Sequence, residues 1–284
     1  GLPWAEQFAS RFRGYIDDFI AFPGHPELPE QAVQCGRIDD FYAAMRERNF
    51  DLALQLHGSG RISNAIVAEF GAKACAGYKP KGAAGDDAHF LEIDECGHEA
   101  LRLLRLLDYM GAPSQGEHLE FPLFAQDDAE LRASGLNAGL SEGQYFCLHP
   151  GARMRDKCWP PERFAEVADR LCEEFGLQAV ITGSAQERDL AEEVAALMRA
   201  RPLIAASPIS IGAMAALMSR ARLLICNDTG VSHIAAGLRL PSVVVFSKSD
   251  LVRWAPLDAE LHRCVWDPEG VQGAAVLAHA RLLL

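Results

Sequence analysis

The sequence predicts an α/β protein built from two doubly wound domains with a cleft between them. Its 284 residues are more than a single hydrophobic core commonly organises. Short continuous apolar runs alternate with amphipathic helical patterns, which is typical of parallel sheets covered on both faces. A stretch rich in Gly, Pro and polar residues, GAPSQGEHLEFPLFAQDDAE, separates the two halves as a linker would. We therefore predict one domain over residues 1–142 and a second over residues 143–284.

The first half alternates less cleanly than the second. Strands are predicted at IDDFIAF, DLALQL, ACAGY and HFLEI, and helices at IDDFYAAMRER, ISNAIVAEF and EALRLLRLLDYM. Strand and helix again follow one another, which predicts a second α/β unit. Because Gly1 is not a natural start, we expect the first strand of this domain to lie upstream of it.

The second half alternates regularly between strands and helices. The helix PERFAEVADRLCEEFG begins at Pro161, directly after Pro160, and ends at a glycine. Its apolar residues recur at helical spacing. The strands LQAVITG, PLIAA, RLLIC and SVVVF then alternate with the helices AQERDLAEEVAALM, IGAMAALMSRA and VSHIAAGL. Strands that are apolar throughout are buried on both faces, so we predict a doubly wound domain here.

Composition limits the function classes. The formal net charge is −12, which disfavours general binding to nucleic acid because phosphates select Lys and Arg. The eight cysteines contain no Cys-x-x-Cys pair, so we expect reduced thiols in a cytoplasmic protein and no zinc site. No apolar run approaches the ~18 residues of a membrane span.

The stretch RLLICNDTGVSHIAAGL carries the first functional signal. A buried strand runs into Asp228, Thr229 and Gly230, and a helical pattern with His233 in its first turn follows. Ligands of open parallel sheets bind beyond the carboxyl ends of the strands, and a helix N-terminus offers unpaired N–H groups to an anion. A glycine there admits close approach of the backbone. The alternative is a helix capped by Asp228 or Thr229 with His233 merely packed.

Two further loops follow predicted strands at the same sheet edge. In CLHPGARMRDKCWPPERF, Lys157 stands just before a helix, where its ammonium could reach a phosphate. In ITGSAQERDL, Thr182-Gly183-Ser184 ends a strand and Glu187 opens the next helix. That carboxylate could accept ribose hydroxyls, or it could simply stabilise the helix dipole. A solvated lysine is the corresponding alternative for Lys157.

These motifs, HPGA…K.WP, TGS…E and NDTG..H.AA, occur in this order ahead of P.VVVF. Together they resemble the donor-nucleotide half of glycosyltransferase family 9, the bacterial ADP-heptose:lipopolysaccharide heptosyltransferases, strongly over residues 143–258. The stretch FYAAMRERNFDLALQLHGSGRISNAIVAEFGA resembles the acceptor domain of the family more loosely. The resemblance implies a GT-B fold, in which two Rossmann-like domains face each other across a central cleft.

The resemblance also implies roles for residues of the second domain. Lys157 would meet phosphate, Glu187 would meet the adenosine ribose, and Trp159 with Pro160 would hold the loop by packing. The implied donor-binding residues are Gly151, Ala152, Lys157, Gly183, Ser184, Glu187, Asp228, Thr229, Gly230 and His233.

Sugar transfer needs a base for the acceptor hydroxyl and a group that stabilises the leaving diphosphate. The sequence contains no Asp-x-Asp motif, so we expect no metal and no cofactor, with Lys157, His233 and a helix N-terminus in the place of the metal. The resemblance implies an inverting single displacement. It places the base in a Gly-Asp motif that would lie upstream of Gly1, so the base is unassigned.

Two residues of the first half are weaker candidates. His57, in LHGSGR, is the best substitute base by its chemistry, although a loop histidine is commonly a surface residue. Arg61 could steer an anionic acceptor, or it could be an ordinary solvated arginine.

The sequence therefore favours a glycosyltransferase that moves a sugar, expected to be heptose, from an ADP-sugar to a lipopolysaccharide-core or related glycan acceptor. We expect it in the cytoplasm, with peripheral contact to the inner membrane left open, and with no nucleic-acid partner. Two alternatives also stay open: another GT-B enzyme such as a sugar-nucleotide epimerase, and a nucleotide-sugar binding protein without turnover.

Overall fold

The computed structural model of the protein describes residues 1–83 and 89–284. These residues form two units, Gly1–Gly116 and Glu117–Leu284, which we call the first and the second unit. Each unit is an α/β structure with a parallel sheet.

The first unit carries a sheet of three parallel strands in the order β1-β2-β3. Its buried side chains include Met45, Ile66, Tyr78 and Leu106. The helices are α1 (Ala5–Arg11), α2 (Ile38–Glu47), α3 (Ser63–Ala68) and α4 (Glu99–Tyr109), and the strands are β1 (Leu52–Gln55), β2 (Ala74–Lys79) and β3 (Phe90–Glu92).

The strand predicted at IDDFIAF is wrong, because residues 16–22 are irregular. Their backbone is paired outside any sheet: the terminal amine of Gly1 donates to the carbonyl of Ile20 at 2.6 Å, and the N–H of Phe22 donates to the carbonyl of Gly1. The other strands and helices predicted for the first half are present; β2 is one residue longer than predicted, and the others have shorter bounds.

The second unit carries a sheet of six parallel strands in the order β6-β5-β4-β7-β8-β9. The chain starts in the middle at β4, extends the sheet to one side, returns to β7 and extends it to the other side. The helices are α5 (Ala125–Ser134), α6 (Pro161–Phe175), α7 (Arg188–Leu197), α8 (Ile211–Met218), α9 (Gly230–Leu238), α10 (Leu251–Trp254) and α11 (Gly273–Leu283), and the strands are β4 (Tyr145–His149), β5 (Gln178–Gly183), β6 (Leu203–Ala206), β7 (Leu224–Asn227), β8 (Ser242–Phe246) and β9 (His262–Trp266).

Hydrophobic cores cover both faces of this sheet, which confirms the doubly wound prediction. Along β4, Phe146 packs into the core formed with α6, α7 and α11, whereas Tyr145 packs into the core formed with α5, α8 and α9. The alternation follows from the two-residue period of a strand. Helix α6 starts at Pro161 and is capped at its C-terminus by Gly176, whose φ of 66° is the left-handed conformation that glycine adopts at low cost.

The division between the units lies upstream of the predicted boundary at 142/143. Part of the stretch interpreted as a linker is helix α5, which packs against α8 in the second unit. Glu130 accepts hydrogen bonds at 2.6 Å from the N–H and the hydroxyl of Ser210, and Asp128 pairs with Arg220 at 2.5 Å. Two charged contacts and the buried Leu131 therefore join this segment to the second unit.

All eight cysteines lie in the described residues, and all are free thiols. Among the helices of the described residues, none combines the length and the apolar character that a membrane span requires.

Candidate functional site

The site lies where the strand order of the second unit reverses. Strands β4 and β7 are neighbours, and the loops that leave their carboxyl ends turn in opposite directions. In open α/β sheets this switch point is the usual ligand crevice. Here the loop after His149 and the turn after Asn227 meet at this edge.

Asn227 holds the two loops together. Its side chain is fully buried; Nδ2 donates to the carbonyl of Pro150 at 2.7 Å, and Oδ1 accepts the N–H of Trp159 at 2.8 Å. The indole of Trp159 is buried as well, and its Nε1 donates to Asp267 at 2.7 Å. Both ends of the loop 150–159 are thus fixed to the sheet, and the buried Trp159 anchors the second end.

A pocket of about 500 Å³ opens beside this loop. Six of the ten predicted donor-binding residues line it: Ala152, Lys157, Asp228, Thr229, Gly230 and His233. The other lining residues are Arg153, Met154, Ser249 and Trp254. The structure therefore brings together six of the donor-binding residues that the resemblance implies.

Lys157 presents its ammonium to this pocket. Its Nζ donates to Ser249 Oγ at 2.6 Å and lies 4.0 Å from Asp228 Oδ2. The side chain of Lys157 is 30% exposed, so this lysine differs from the fully solvated residue that was the alternative. An ammonium on a pocket wall, with a serine and a carboxylate holding it, is a ready partner for phosphate.

Helix α9 begins at the floor of the pocket. Thr229 is its N-cap residue, with extended backbone (φ −158°), and its side chain makes no capping hydrogen bond within the described residues. The alternative role of Thr229 as a side-chain cap is therefore not realised. The first N–H groups of α9 keep their partial positive charge for a ligand in the pocket.

Gly230 is the first residue of α9 and does not have a positive φ. A Cβ built on it would meet nothing within 4 Å. The absence of a side chain at Gly230 therefore leaves open space beside the helix N-terminus. The backbone conformation itself does not require glycine.

The imidazole of His233 lines the pocket together with Trp254. The two rings meet edge to face with centroids 6.4 Å apart. A histidine in the first turn of α9 that packs against an indole has a defined ring orientation towards the pocket.

The remaining predicted donor-binding residues form a second cluster around Glu187. Glu187 Oε2 accepts the N–H and the hydroxyl of Ser184, each at 2.7 Å, so this oxygen organises the start of the next helix as the alternative proposed. Oxygen Oε1 faces the other way: a Cβ built on Gly151 would stand 1.9 Å from it. A Cβ on Gly183 would lie 3.3 Å from the Cβ of Glu187. Both glycines make room for this side chain.

His149 forms the inner wall of this cluster. It is buried, its Nδ1 lies 3.0 Å from Thr182 Oγ1, and its Nε2 lies 3.9 Å from Glu187 Oε1. Burial lowers the pKa of His149 below its ordinary value, and the nearby charge of Glu187 opposes that shift. Sequence reasoning named His149 only as the end of a strand.

His57 and Arg61 belong to the first unit. His57 is exposed, and its Nε2 lies 3.4 Å from Glu30 Oε1. Arg61 lines a pocket of about 850 Å³ at the carboxyl ends of β2 and β3, together with Lys81, Asp94 and Arg105. His57 is not among the residues that line this pocket.

Within residues 1–83 and 89–284, no three His, Cys, Asp or Glu side chains lie close enough together to hold a metal ion.

The sequence matches the family described as glycosyltransferase family 9 (heptosyltransferase) over residues 39–273. The chain belongs to glycosyltransferase family 9. The match spans the positions of all ten predicted donor-binding residues, in both clusters.

The family 9 chain also resembles individual proteins. It is 31% identical to lipopolysaccharide heptosyltransferase 3 of Escherichia coli K12 over 136 residues, which are 47% of this chain and 39% of that protein. The chain thus spans about two fifths of the curated relative that it matches at this identity.

Two solved structures show the fold class. A glycosyl transferase family 9 structure from Veillonella parvula matches with a TM-score of 0.69 at 20% identity, covering 91% of this chain and 80% of that one. The E. coli heptosyltransferase WaaC with ADP matches with a TM-score of 0.61 at 17% identity, covering 89% and 78%. The family 9 chain has the GT-B fold class, with two Rossmann-like units.

Ser249, Trp254, Arg153 and Met154 are the pocket residues that sequence reasoning missed. Ser249 and Trp254 follow β8, the neighbour of β7 in the sheet. Ligands of such sheets bind at the carboxyl ends of the strands. With the strand order of this family 9 unit known, that rule would have indicated the loop SKSD, residues 247–250.

Proposed function

We propose that the protein is an inverting glycosyltransferase that transfers a heptose from an ADP-sugar to a lipopolysaccharide-core acceptor without a divalent metal. The observation that carries the proposal is the pocket at the β4/β7 switch point, where the ammonium of Lys157 and the N-terminus of α9 converge. Both carry positive charge, and both would face a diphosphate seated between them.

The chemistry follows from these charges. As the glycosidic bond to the diphosphate breaks, negative charge grows on the leaving oxygens, and fixed positive groups lower the energy of that state. Lys157 and Arg153 line the pocket with His233, whereas Asp228 is the acidic residue on its wall. This balance favours an anionic leaving group and supplies the stabilisation that a metal provides in other enzymes.

The donor and acceptor classes are supported by family membership and by the relatives. The family description names heptosyltransferases, the related protein from E. coli K12 is a lipopolysaccharide heptosyltransferase, and the related WaaC structure holds ADP. In the reaction we propose, the acceptor oxygen bonds to the sugar carbon as the bond to ADP breaks, and the acceptor proton passes to a general base, which is unassigned. The displacement takes one step, so the configuration at the sugar carbon inverts. We further propose that the protein acts in the cytoplasm at the inner membrane face and needs no cofactor.

Calorimetric titration tests the donor site. We expect the protein to bind ADP more tightly than adenosine, since the diphosphate meets Lys157 and α9, and more tightly than UDP. Lys157→Met should weaken ADP binding by about 10- to 100-fold, the effect of losing one charge-assisted contact of about 1.5–3 kcal/mol, and should leave adenosine unaffected. Lys73→Met, which removes an exposed ammonium paired with Asp51, is the matched control.

Transfer from ADP-heptose to a lipopolysaccharide-core acceptor, followed in the presence of EDTA, tests the reaction. Product with the inverted configuration, formed at an unchanged rate in EDTA, is the expected result. Binding of ADP without any transfer would identify a nucleotide-sugar binding protein instead. Loss of all transfer on chelation would refute the metal-independent mechanism.

A further inference from the structure

The SKSD loop, residues 247–250, fixes the turn of the chain that carries Lys157. Ser247 Oγ donates a hydrogen bond to the main-chain carbonyl of Lys157 at 3.1 Å. Lys248 forms an ion pair with Asp156, the residue directly before Lys157. Two consecutive residues of one loop thus hold two consecutive residues of the other, although 90 and 92 positions of the chain separate the partners.

The ammonium of Lys157 is held by a second serine of the same loop. Ser249 Oγ lies 2.6 Å from Lys157 Nζ. An ammonium can only donate hydrogen bonds, so the serine oxygen is the acceptor in this contact. Lys157 is therefore held at both ends, at its main chain by Ser247 and at its ammonium by Ser249.

Asp228 lies farther from the ammonium than Ser249 does. Its Oδ2 is 4.0 Å from Lys157 Nζ, beyond hydrogen-bond distance. A carboxylate is the stronger partner for an ammonium that is free to move, because the contact is then assisted by both charges. The hydroxyl of Ser249 is neutral, so it holds the ammonium apart from Asp228 without cancelling its charge.

The ammonium keeps donors for a ligand. It has three protons, and Ser249 is its one hydrogen-bond partner in the described part of the chain. The side chain of Lys157 lines the pocket together with Ser249 itself. A diphosphate in the pocket would therefore meet an ammonium that is already placed and still has protons to donate.

We propose that Ser249 is a positioning residue, which holds the ammonium of Lys157 where a diphosphate meets it. This inference rests on the proposed function, in which the diphosphate of ADP binds at Lys157. A lysine side chain has several rotatable bonds, and a ligand that binds a free lysine must order them. Here Ser249 orders the side chain before the ligand arrives, so ADP binding loses less conformational entropy.

A double-mutant cycle tests the coupling between the two residues. Calorimetry would measure ADP binding to the unmodified protein, Ser249→Ala, Lys157→Met and the double variant. Ser249→Ala should weaken ADP binding by about three- to tenfold, the effect of leaving one long side chain unordered. In the Lys157→Met background Ser249→Ala should cause no further loss, because the ammonium that the serine positions is absent.

Two further variants separate the hydroxyl of Ser249 from the shape of the loop. Ser249→Thr keeps a hydroxyl at this position and should restore the ADP affinity of the unmodified protein. Ser219→Ala is the matched control. Ser219 also belongs to the second unit, and its hydroxyl donates to the carbonyl of Ala216 at 3.0 Å, at the end of α8. This variant should leave ADP affinity unchanged.

The outcomes are distinguishable. If the unmodified protein does not bind ADP, the proposed function fails, and the role of Ser249 fails with it. If it binds ADP and Ser249→Ala binds ADP equally well, the proposed function stands and the positioning role is overturned. An equal loss from Ser249→Ala in both backgrounds would also overturn that role, because Ser249 would then act independently of Lys157. A loss in Ser249→Thr as large as that in Ser249→Ala would show that the hydroxyl is not the group that acts.

Discussion

The backbone N–H of Trp159 donates a 2.8 Å hydrogen bond to the side chain of Asn227, a residue 68 positions away. The side chain of Asn227 in turn donates through Nδ2 to the carbonyl of Pro150. One buried side chain thus sets the path of the loop that carries Lys157, and the switch-point pocket depends on it.

Replacement of Asn227 should therefore disturb both stability and binding. Asn227→Ala leaves the Trp159 N–H and the Pro150 carbonyl unpaired inside the protein. We expect a loss of about 2–6 kcal/mol in the free energy of unfolding, since each of the two unsatisfied buried groups costs about 1–3 kcal/mol. Urea denaturation measures this loss, and ADP titration should show weaker binding at temperatures where the variant is folded. Unchanged ADP affinity in the folded variant would contradict the role assigned to Asn227.

Gly151→Ala should act on Glu187. The new Cβ would stand 1.9 Å from Glu187 Oε1, so the carboxylate has to move. We expect a tenfold or larger loss of ADP affinity, measured by calorimetry. Gly36→Ala, where a Cβ meets nothing within 4 Å, is the control. If both variants bind ADP equally well, Glu187 does not contact the nucleotide.

Two glycines of helix α9 should respond in opposite ways to alanine. At Gly230 the Cβ is free of contacts and enters the pocket, so we expect unchanged or slightly higher stability and weaker ADP binding. At Gly237 the Cβ would lie 2.9 Å from the backbone of Glu120 and Phe121, so we expect a clear loss of stability. Thermal unfolding and ADP titration of both variants check this contrast. Full ADP affinity in Gly230→Ala would place the diphosphate elsewhere.

His262 should make the protein less stable in mild acid. Burial lowers the pKa of His262 to about 4, with a small opposing effect from Asp258 and a reinforcing one from Arg239. The unfolded chain, with an ordinary pKa near 6.5, takes up the proton first as the pH falls. The contribution of His262 to the free energy of unfolding is therefore complete above pH ~6.5. It decreases as the pH falls towards ~4, by at most about 3 kcal/mol.

Urea denaturation between pH 7 and pH 4 measures this dependence. His262→Gln, which keeps a polar group near Ser242 but does not titrate, should show a shallower slope than the unmodified protein over the same range. Parallel slopes in the two proteins would show that other groups, such as the buried His149, govern the acid response.

The sequence predicted most of the second unit and much of its site. Continuous apolar runs such as SVVVF become buried strands in any parallel sheet, and the Pro161 and Gly176 signals mark both ends of α6. Such signals are local, because backbone conformation and burial periodicity depend on neighbouring residues. The run IDDFIAF fails for the same reason: its apolar residues permit a strand, but no neighbouring strand pairs with it in the described structure.

By itself the sequence determined the order of strands and helices in the second unit, the polar turns after its strands, and the motifs that mark its family. Only the tertiary structure decided that Ser249 and Trp254 join Lys157 in one pocket, that Asn227 holds Trp159, and that Glu187 divides its two oxygens between Ser184 and the space beside His149. The physical reason is the distance along the chain over which each feature is specified. A turn is specified by a few adjacent residues. The contacts of Trp159 join residues 68 and 108 positions apart, and they exist only after the strand order has brought distant loops to one edge of the sheet.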